Sequence, residues 1–352
     1  MPSSESVHAS SLPHQFSALP KAELHVHLEG SIAPATVAAL GARYGDQVSP
    51  AQVSSRYATR DFAAFIEAYK WVTSYLRAPT DYALIASRLA EQLLAQNVMY
   101  AEVTLSIGVM ILRRQDVEAN FHAIREAVSA FEAQGLRMQW IFDAVRQFGA
   151  GPAMEVARCA VDLRGEGVIA YGLGGDELAV PTSEFRPVYE FVAKHGLHRL
   201  AHAGEIGGPE SVREAIELLG VERIGHGIAA ARDPHLMALL ADRGIPLELC
   251  PTSNLRTGAL ARQRAVPEAA LSDHPLPQLL RSGVPISLST DDPAMFDTDL
   301  NREYSLLPQM GLDSAEIVRV AAAAFEGAFL PPAEKAAQLA AFWAQASTLG
   351  PL

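Results

Sequence analysis

The chain has 352 residues, with 28 Lys and Arg against 40 Asp and Glu, for a formal charge of −12. That balance excludes nucleic acid as the main partner, because phosphate binding needs a basic face, while 49% hydrophobic residues supply ample core for one α/β barrel or two smaller domains. The apolar run Val320–Phe325 falls far short of the roughly 20 residues that cross a bilayer, and Cys159 and Cys250, the two cysteines, make neither a disulfide framework nor a four-cysteine zinc site.

Residues 1–15, rich in Ser, His and Pro, read as a disordered tail without the charged-then-apolar pattern of a secretory leader. A reduced, cytoplasmic protein is expected. Residues 16–352 read as one domain with no linker or repeat. Eight short apolar runs follow in order: Ala22–Val26, Val98–Leu105, Arg137–Phe142, Val168–Leu173, His198–His202, Arg223–Gly225, Ile245–Leu249 and Val284–Leu288. Helical patterns lie between them. Ala33–Tyr44, Phe62–Leu76 and Asp81–Gln96 form a long insertion after the first run. Asp116–Gln134, Gly151–Arg164, Glu184–His195, Pro209–Leu219, Asp233–Asp242 and Pro275–Arg281 separate the later ones, and helices over 300–310, 313–328 and 332–347 follow the last. Gly135, Gly165, Gly196, Gly244 and Gly283 each stand between a helix and the next strand, the place of a helix C-cap. This alternation predicts a (β/α)8 TIM barrel with a helical lid insertion after strand 1 and extra C-terminal helices. A doubly wound sheet would show a Gly-rich phosphate turn after its first strand; here that strand runs into His25-Val26-His27.

Chemistry-bearing residues gather at the C-terminal ends of the strands, where barrel enzymes place their sites. Residues two apart in a strand share a face, so His25 and His27 reach one ion together. Strand five ends in His202-Ala203-Gly204-Glu205, strand six in His226, and strand eight in Ser289-Thr290-Asp291-Asp292-Pro293. Three histidines and a carboxylate suit Zn²⁺, with a bound water acidified toward neutral pKa. The remaining histidines, His8, His14, His122, His195, His198, His235 and His274, read as structural or solvent-facing.

Lys21-Ala-Glu-Leu-His-Val-His-Leu-Glu-Gly-Ser31, Gly174-Gly-Asp-Glu177, His202-Ala-Gly-Glu205, Glu222-Arg-Ile-Gly-His-Gly227, Cys250-Pro-Thr-Ser-Asn254 and Ser289-Thr-Asp-Asp-Pro293 resemble the signature set of the adenosine deaminase family. They stand in family order over nearly the whole chain. The resemblance implies one Zn²⁺ per chain at His25, His27, His202 and Asp291. It implies that Asp291 and His226 hold the attacking hydroxide in line with C6 of a purine and that Glu205 protonates N1. Asp292, protonated, would meet N7, and the Gly175 N–H would meet N3. Ser106 stands where the family has a polar residue, the side chains of Asp176 and Glu177 would anchor their loop, and Phe62 and Phe65, one helical turn apart, would wall the substrate from a lid over residues 33–96.

The substrate implied is a 6-aminopurine nucleoside, adenosine or a 5′-modified adenosine such as aminodeoxyfutalosine, with the free base adenine as the alternative. Relatives acting on adenosine generally carry Asp at the Glu29 position, facing the ribose 5′-hydroxyl; Glu29 is one methylene longer and would point along the pocket toward the sugar. Adenine deaminases typically show Ser-Ser-Glu where this chain has Gly-Gly-Asp-Glu. AMP is disfavoured, since no Lys/Arg cluster borders the motifs. A two-metal amidohydrolase would need a bridging lysine where Gly172-Leu173-Gly174 stands, a non-catalytic binding relative would have lost Glu205 or a ligand, and the Pro-Cys-x-x-Cys motif of cytidine-type deaminases is absent. Oligomeric state is not expressed in these patterns.

Overall fold

The computed structural model describes residues 16–59 and 61–349; the N-terminal tail lies outside the described residues. The eight apolar runs form eight parallel strands paired in sequence order: β1 (Lys21–His27), β2 (Val98–Leu105), β3 (Arg137–Val145), β4 (Val168–Gly174), β5 (His198–Ala203), β6 (Arg223–His226), β7 (Leu247–Leu249) and β8 (Ile286–Leu288). The sheet closes where Val26 bridges Asp291 in parallel. There the Asp291 N–H donates to the His25 carbonyl at 2.9 Å, and the His27 N–H donates to the Asp291 carbonyl at 2.8 Å. The barrel seam therefore runs through three of the expected metal ligands.

Every residue of β1 is buried, as expected of a parallel strand covered on both faces. Its outer face is apolar, and its inner face carries Glu23, His25 and His27. The barrel interior is unusually ionic. Arg223 on β6 reaches across to Glu102 on β2 at 2.5 Å and to Glu248 on β7 at 2.5 Å, and all three side chains are buried. Below them the chain after helix Ser314–Gly327 crosses the barrel floor. The Phe329 ring lies 3.8 Å from the Arg223 guanidinium, its N–H donates to Glu102 at 2.6 Å, and its other flank stacks on His198 at 4.1 Å.

The lid insertion holds four helices rather than three: Pro34–Arg43, Pro50–Tyr57, Phe62–Thr73 and Pro79–Ala95. The second escapes a periodicity search because it is short and polar. Its start was nevertheless written as a capping box, in which the Ser49 side chain accepts from the Gln52 N–H and the Gln52 side chain accepts from Ser49 N–H. Ile107–Leu112, Pro251–Arg256, Ala259–Arg264 and Pro293–Phe296 are likewise too short to show an amphipathic period. The turn into β4 uses Gly167 at φ 96° instead of Gly165, whereas Gly135, Gly196, Gly244 and Gly283 take the positive φ expected of them. No helix among the described residues is long and apolar enough to cross a membrane.

Arg223→Met removes the cation shared by two buried carboxylates. Breaking a buried pair costs about 3–5 kcal/mol, so urea denaturation should show a loss of that order. Arg186→Ala, which breaks an exposed pair with Glu190, should leave the midpoint unchanged. Equal effects from the two variants would contradict a structural role for the interior ions.

Candidate active site

The four expected ligands converge at the C-terminal mouth. One ligand atom from each of His25, His27, His202 and Asp291 lies within 4.8 Å of the others, and all four residues are buried. The contacts have a definite polarity. His25 Nδ1 lies 2.7 Å from Glu248 Oε2, so it carries a proton, and in the neutral ring that a metal ion would select Nε2 is a bare lone pair. That lone pair has no hydrogen-bond partner among the described residues and sits 3.4 Å from Asp291 Oδ1. His27 Nε2 sits 3.3 Å from the same oxygen and 3.3 Å from His202 Nε2. Acceptors aimed at one point repel unless a cation lies between them, and imidazole nitrogens with one carboxylate oxygen are a zinc-type donor set. Glu248, held by Arg223, is the carboxylate that orients a ligating imidazole from behind. Burial alone would lower His25, but hydrogen bonds and charge from Asp291 and Glu248 raise it to about 10. Burial likewise opposes charge on His27, and Asp292 and Asp291 raise it to about 9. The cluster thus favours positive charge at its centre.

Two site residues adopt the left-handed backbone region without being glycine: His226 at φ 62° and Asp291 at φ 66°. Such strain is held where surrounding structure over-determines it. At Asp291 the two hydrogen bonds to β1 do so, and Ser253 Oγ donates to Asp291 Oδ2 at 2.6 Å.

The adjacent carboxylates are driven apart. Burial tends to raise Asp291, but the His25, His27 and His226 imidazoles around it hold it well below the usual carboxylate range. Burial and the neighbouring Asp291 charge push Asp292 well above that range. The Asp292 carboxyl occupies space that Gly30 leaves open, since a Cβ there would lie 1.7 Å from Oδ1. Glu205 is also pushed well above its ordinary value, first by burial and then by the charges of Asp291 and Glu177. Its loop is clamped by Glu177, whose carboxylate accepts from the N–H groups of Gly204, Glu205, Ile206 and Gly207 at 2.8–3.1 Å and from Ser211 Oγ at 2.8 Å. The Glu177 side chain is thus a loop anchor. The Asp176 carboxylate accepts the Leu178 N–H at 3.0 Å.

His27, His202, Glu205, Asp291 and Asp292 line a cavity of about 810 Å³, its open mouth included. Its roof is one face of helix Phe62–Thr73, where Phe62, Phe65, Ile66, Tyr69 and Lys70 recur at helical spacing. Ser106, Gly175 and His226 also line it. Glu29 does not. It lies buried behind the wall, where Oε1 accepts the Ser106 N–H at 3.0 Å and Oε2 accepts the Tyr69 hydroxyl at 3.3 Å. Its expected reach toward the sugar is replaced by a hold on Tyr69 and Ser106, whose hydroxyls meet at 2.8 Å. Sequence reasoning missed Asp143, at the end of β3. It lines the cavity, burial raises it to about 7, and it fits because Gly172 has no side chain: a Cβ there would lie 2.5 Å from Asp143 Oδ1. Thr257, which donates to Glu205 Oε1 at 3.2 Å, and Gln147 were missed as well. Only position within the folded barrel marks them.

The family profile described as adenosine deaminase matches residues 20–342. Among curated proteins, the chain is 41% identical to the aminodeoxyfutalosine deaminase of Streptomyces coelicolor over 92% of this chain and 84% of that one. It is 35% identical to the adenine deaminase of Chelativorans sp. over 91% and 97%. Among solved structures, the adenine deaminase of Arthrobacter aurescens aligns with TM-score 0.85 at 28% identity, covering 94% of this chain and 99% of that one. A zinc-bound amidohydrolase of Burkholderia ambifaria aligns with TM-score 0.87 at 26% identity, covering 97% and 94%. With a hydrolytic site of this design and a profile match over nearly its whole length, the chain belongs to the adenosine deaminase family.

Proposed function

We propose that this enzyme deaminates a 5′-extended adenosine, aminodeoxyfutalosine above adenosine, using one Zn²⁺ held by His25, His27, His202 and Asp291. The observation that carries the substrate reading is the cavity wall. Beyond the polar centre the space is bounded by Phe62, Phe65, Ile66, Val109, Val145 and Phe148, an apolar wall against which a substituent beyond the ribose can pack. The inward-turned Glu29 carboxylate fits the same reading, because it leaves no free carboxylate to hold a 5′-hydroxyl. The identity to aminodeoxyfutalosine deaminases supports it. Adenine is the second reading, supported by the adenine deaminases among the relatives.

When bound, Zn²⁺ lowers the pKa of a coordinated water to near 7. The chain's own groups do the rest. Glu205, whose burial favours the protonated form, delivers its proton to purine N1 and makes C6 electrophilic. Asp292, also protonated, donates to N7, which a bare carboxylate would repel. The Gly175 N–H meets N3. His226 and Asp291 flank the position from which water attacks C6. Helix Phe62–Thr73 excludes bulk water from above.

Ammonia release from aminodeoxyfutalosine, adenosine and adenine, compared by kcat/KM, tests the substrate. The expected order is as named; adenine as the best substrate would overturn the reading. Glu205→Gln should keep the fold and the metal but lose about 10²–10⁴-fold in kcat, the usual worth of general acid catalysis. A kcat near wild type would remove Glu205 from the reaction.

A further inference from the structure

The tautomer of His226 decides whether its inward nitrogen donates to an attacking water or accepts from it. Its Nε2 lies 3.7 Å from Glu205 Oε2 and 3.9 Å from Asp291 Oδ2. Both distances are too long for a hydrogen bond, so this nitrogen faces open space between two carboxyls. A proton there can be offered to an oxygen in that space; a lone pair cannot do the same work. Which nitrogen carries the proton is decided by what touches Nδ1 on the far side of the ring.

Nδ1 lies 3.2 Å from Asn254 Nδ2. An amide alone settles nothing, because rotating it by half a turn would present its oxygen and favour the opposite tautomer. The next residue removes the ambiguity. Asn254 Oδ1 lies 3.2 Å from His274 Nε2, and His274 Nδ1 accepts the backbone N–H of Leu276 at 3.2 Å. That N–H belongs to the first turn of helix Leu276–Arg281, where backbone donors lack intrahelical partners. A backbone N–H can only donate, so His274 Nδ1 is bare. Burial pushes His274 down to about 3, so the ring is neutral and its proton is on Nε2. The polarity then runs one way: Leu276 N–H to His274, His274 Nε2–H to Asn254 Oδ1, Asn254 Nδ2–H to His226 Nδ1. Asn254 and His274 are both buried, with no water-facing route to a different arrangement.

We infer that Asn254 and His274 are positioning residues, a relay that takes its direction from the Leu276 backbone and holds His226 with its proton on Nε2, facing the reacting centre. His274 lies 48 residues beyond His226 in the chain and touches nothing in the cavity, so it acts only through Asn254. The inference rests on the reading above in one respect, that His226 meets the attacking water.

The test uses the zinc-loaded protein labelled with ¹⁵N-histidine. Two-bond ¹H–¹⁵N correlation spectra distinguish protonated from bare ring nitrogens, with His226 and His274 assigned from His226→Gln and His274→Asn. The wild type should show both rings neutral, protonated on Nε2 and bare on Nδ1. Asn254→Leu and His274→Phe should shift His226 toward the other tautomer and lower kcat about 10–100-fold, the range for residues that orient a site group from behind. KM and zinc content should stay within about threefold. His274→Gln, whose amide N–H stands where Nε2 did and can still donate to Asn254, should recover most of the lost kcat relative to His274→Phe. A wild-type His226 protonated on Nδ1 overturns the relay, and this result needs no variant to fold and no substrate to be known. A correct wild-type spectrum with unchanged kcat in a folded Asn254→Leu protein overturns the positioning role. If none of the purines is turned over, the substrate reading has failed and the spectrum still decides the tautomer.

Discussion

The arrangement of the barrel mouth follows from electrostatic repulsion among buried acceptors. In the neutral ring His25 presents a bare Nε2 because its Nδ1–H donates to Glu248, and that lone pair faces Asp291 Oδ1 at 3.4 Å. His27 and His202 bring two more nitrogens 3.3 Å apart. Such a cluster is stable in a dry interior only with positive charge at its centre. The fold spends backbone strain to assemble it, holding Asp291 in the left-handed region exactly on the seam where β8 meets β1. It also spends a buried arginine, since Arg223 anchors Glu248 and thereby the direction in which His25 points.

That chain of contacts ties the site to the opposite end of the barrel. Glu102, which completes the charge balance of Arg223, accepts the Phe329 N–H on the floor. The C-terminal segment therefore does more than cover apolar surface: it gives a second donor to the buried carboxylate that pairs with Arg223. Above the centre, the same logic separates three carboxyls by environment. The imidazoles favour the ionised form of Asp291, while burial and the Asp291 charge favour the protonated forms of Asp292 and Glu205. Acid and base functions thus arise from one residue type within a few ångströms.

Much of this was legible in the sequence, for physical reasons. The His-x-His pair could be read because strands alternate faces. The strand order could be read because a parallel barrel leaves its strands as separate apolar runs with helices between them. The four residues that could hold a metal ion and Glu205 stand at strand ends, where barrel geometry forces convergence. Partners brought together only by the closed barrel were not legible. Glu29 was expected to face the sugar, yet its carboxylate is taken by Ser106, 77 residues away, and by Tyr69, 40 residues away. Asp143 looked like any strand residue until Gly172 on the next strand made room for it. His274 was read as a structural loop histidine, and its link to His226 passes through Asn254 in a third segment. The short helices were missed because six residues cannot display a period, although Ser49 and Gln52 did announce one helix start.

The central claim is that the four convergent donors hold one metal ion. Metal analysis of protein purified without chelator tests it most directly, together with the Asp291→Ala and His25→Ala variants. The account predicts about one zinc per wild-type chain and a large loss of metal in both variants while they remain folded. Two ions per chain, or a zinc content undiminished by either substitution, would contradict it.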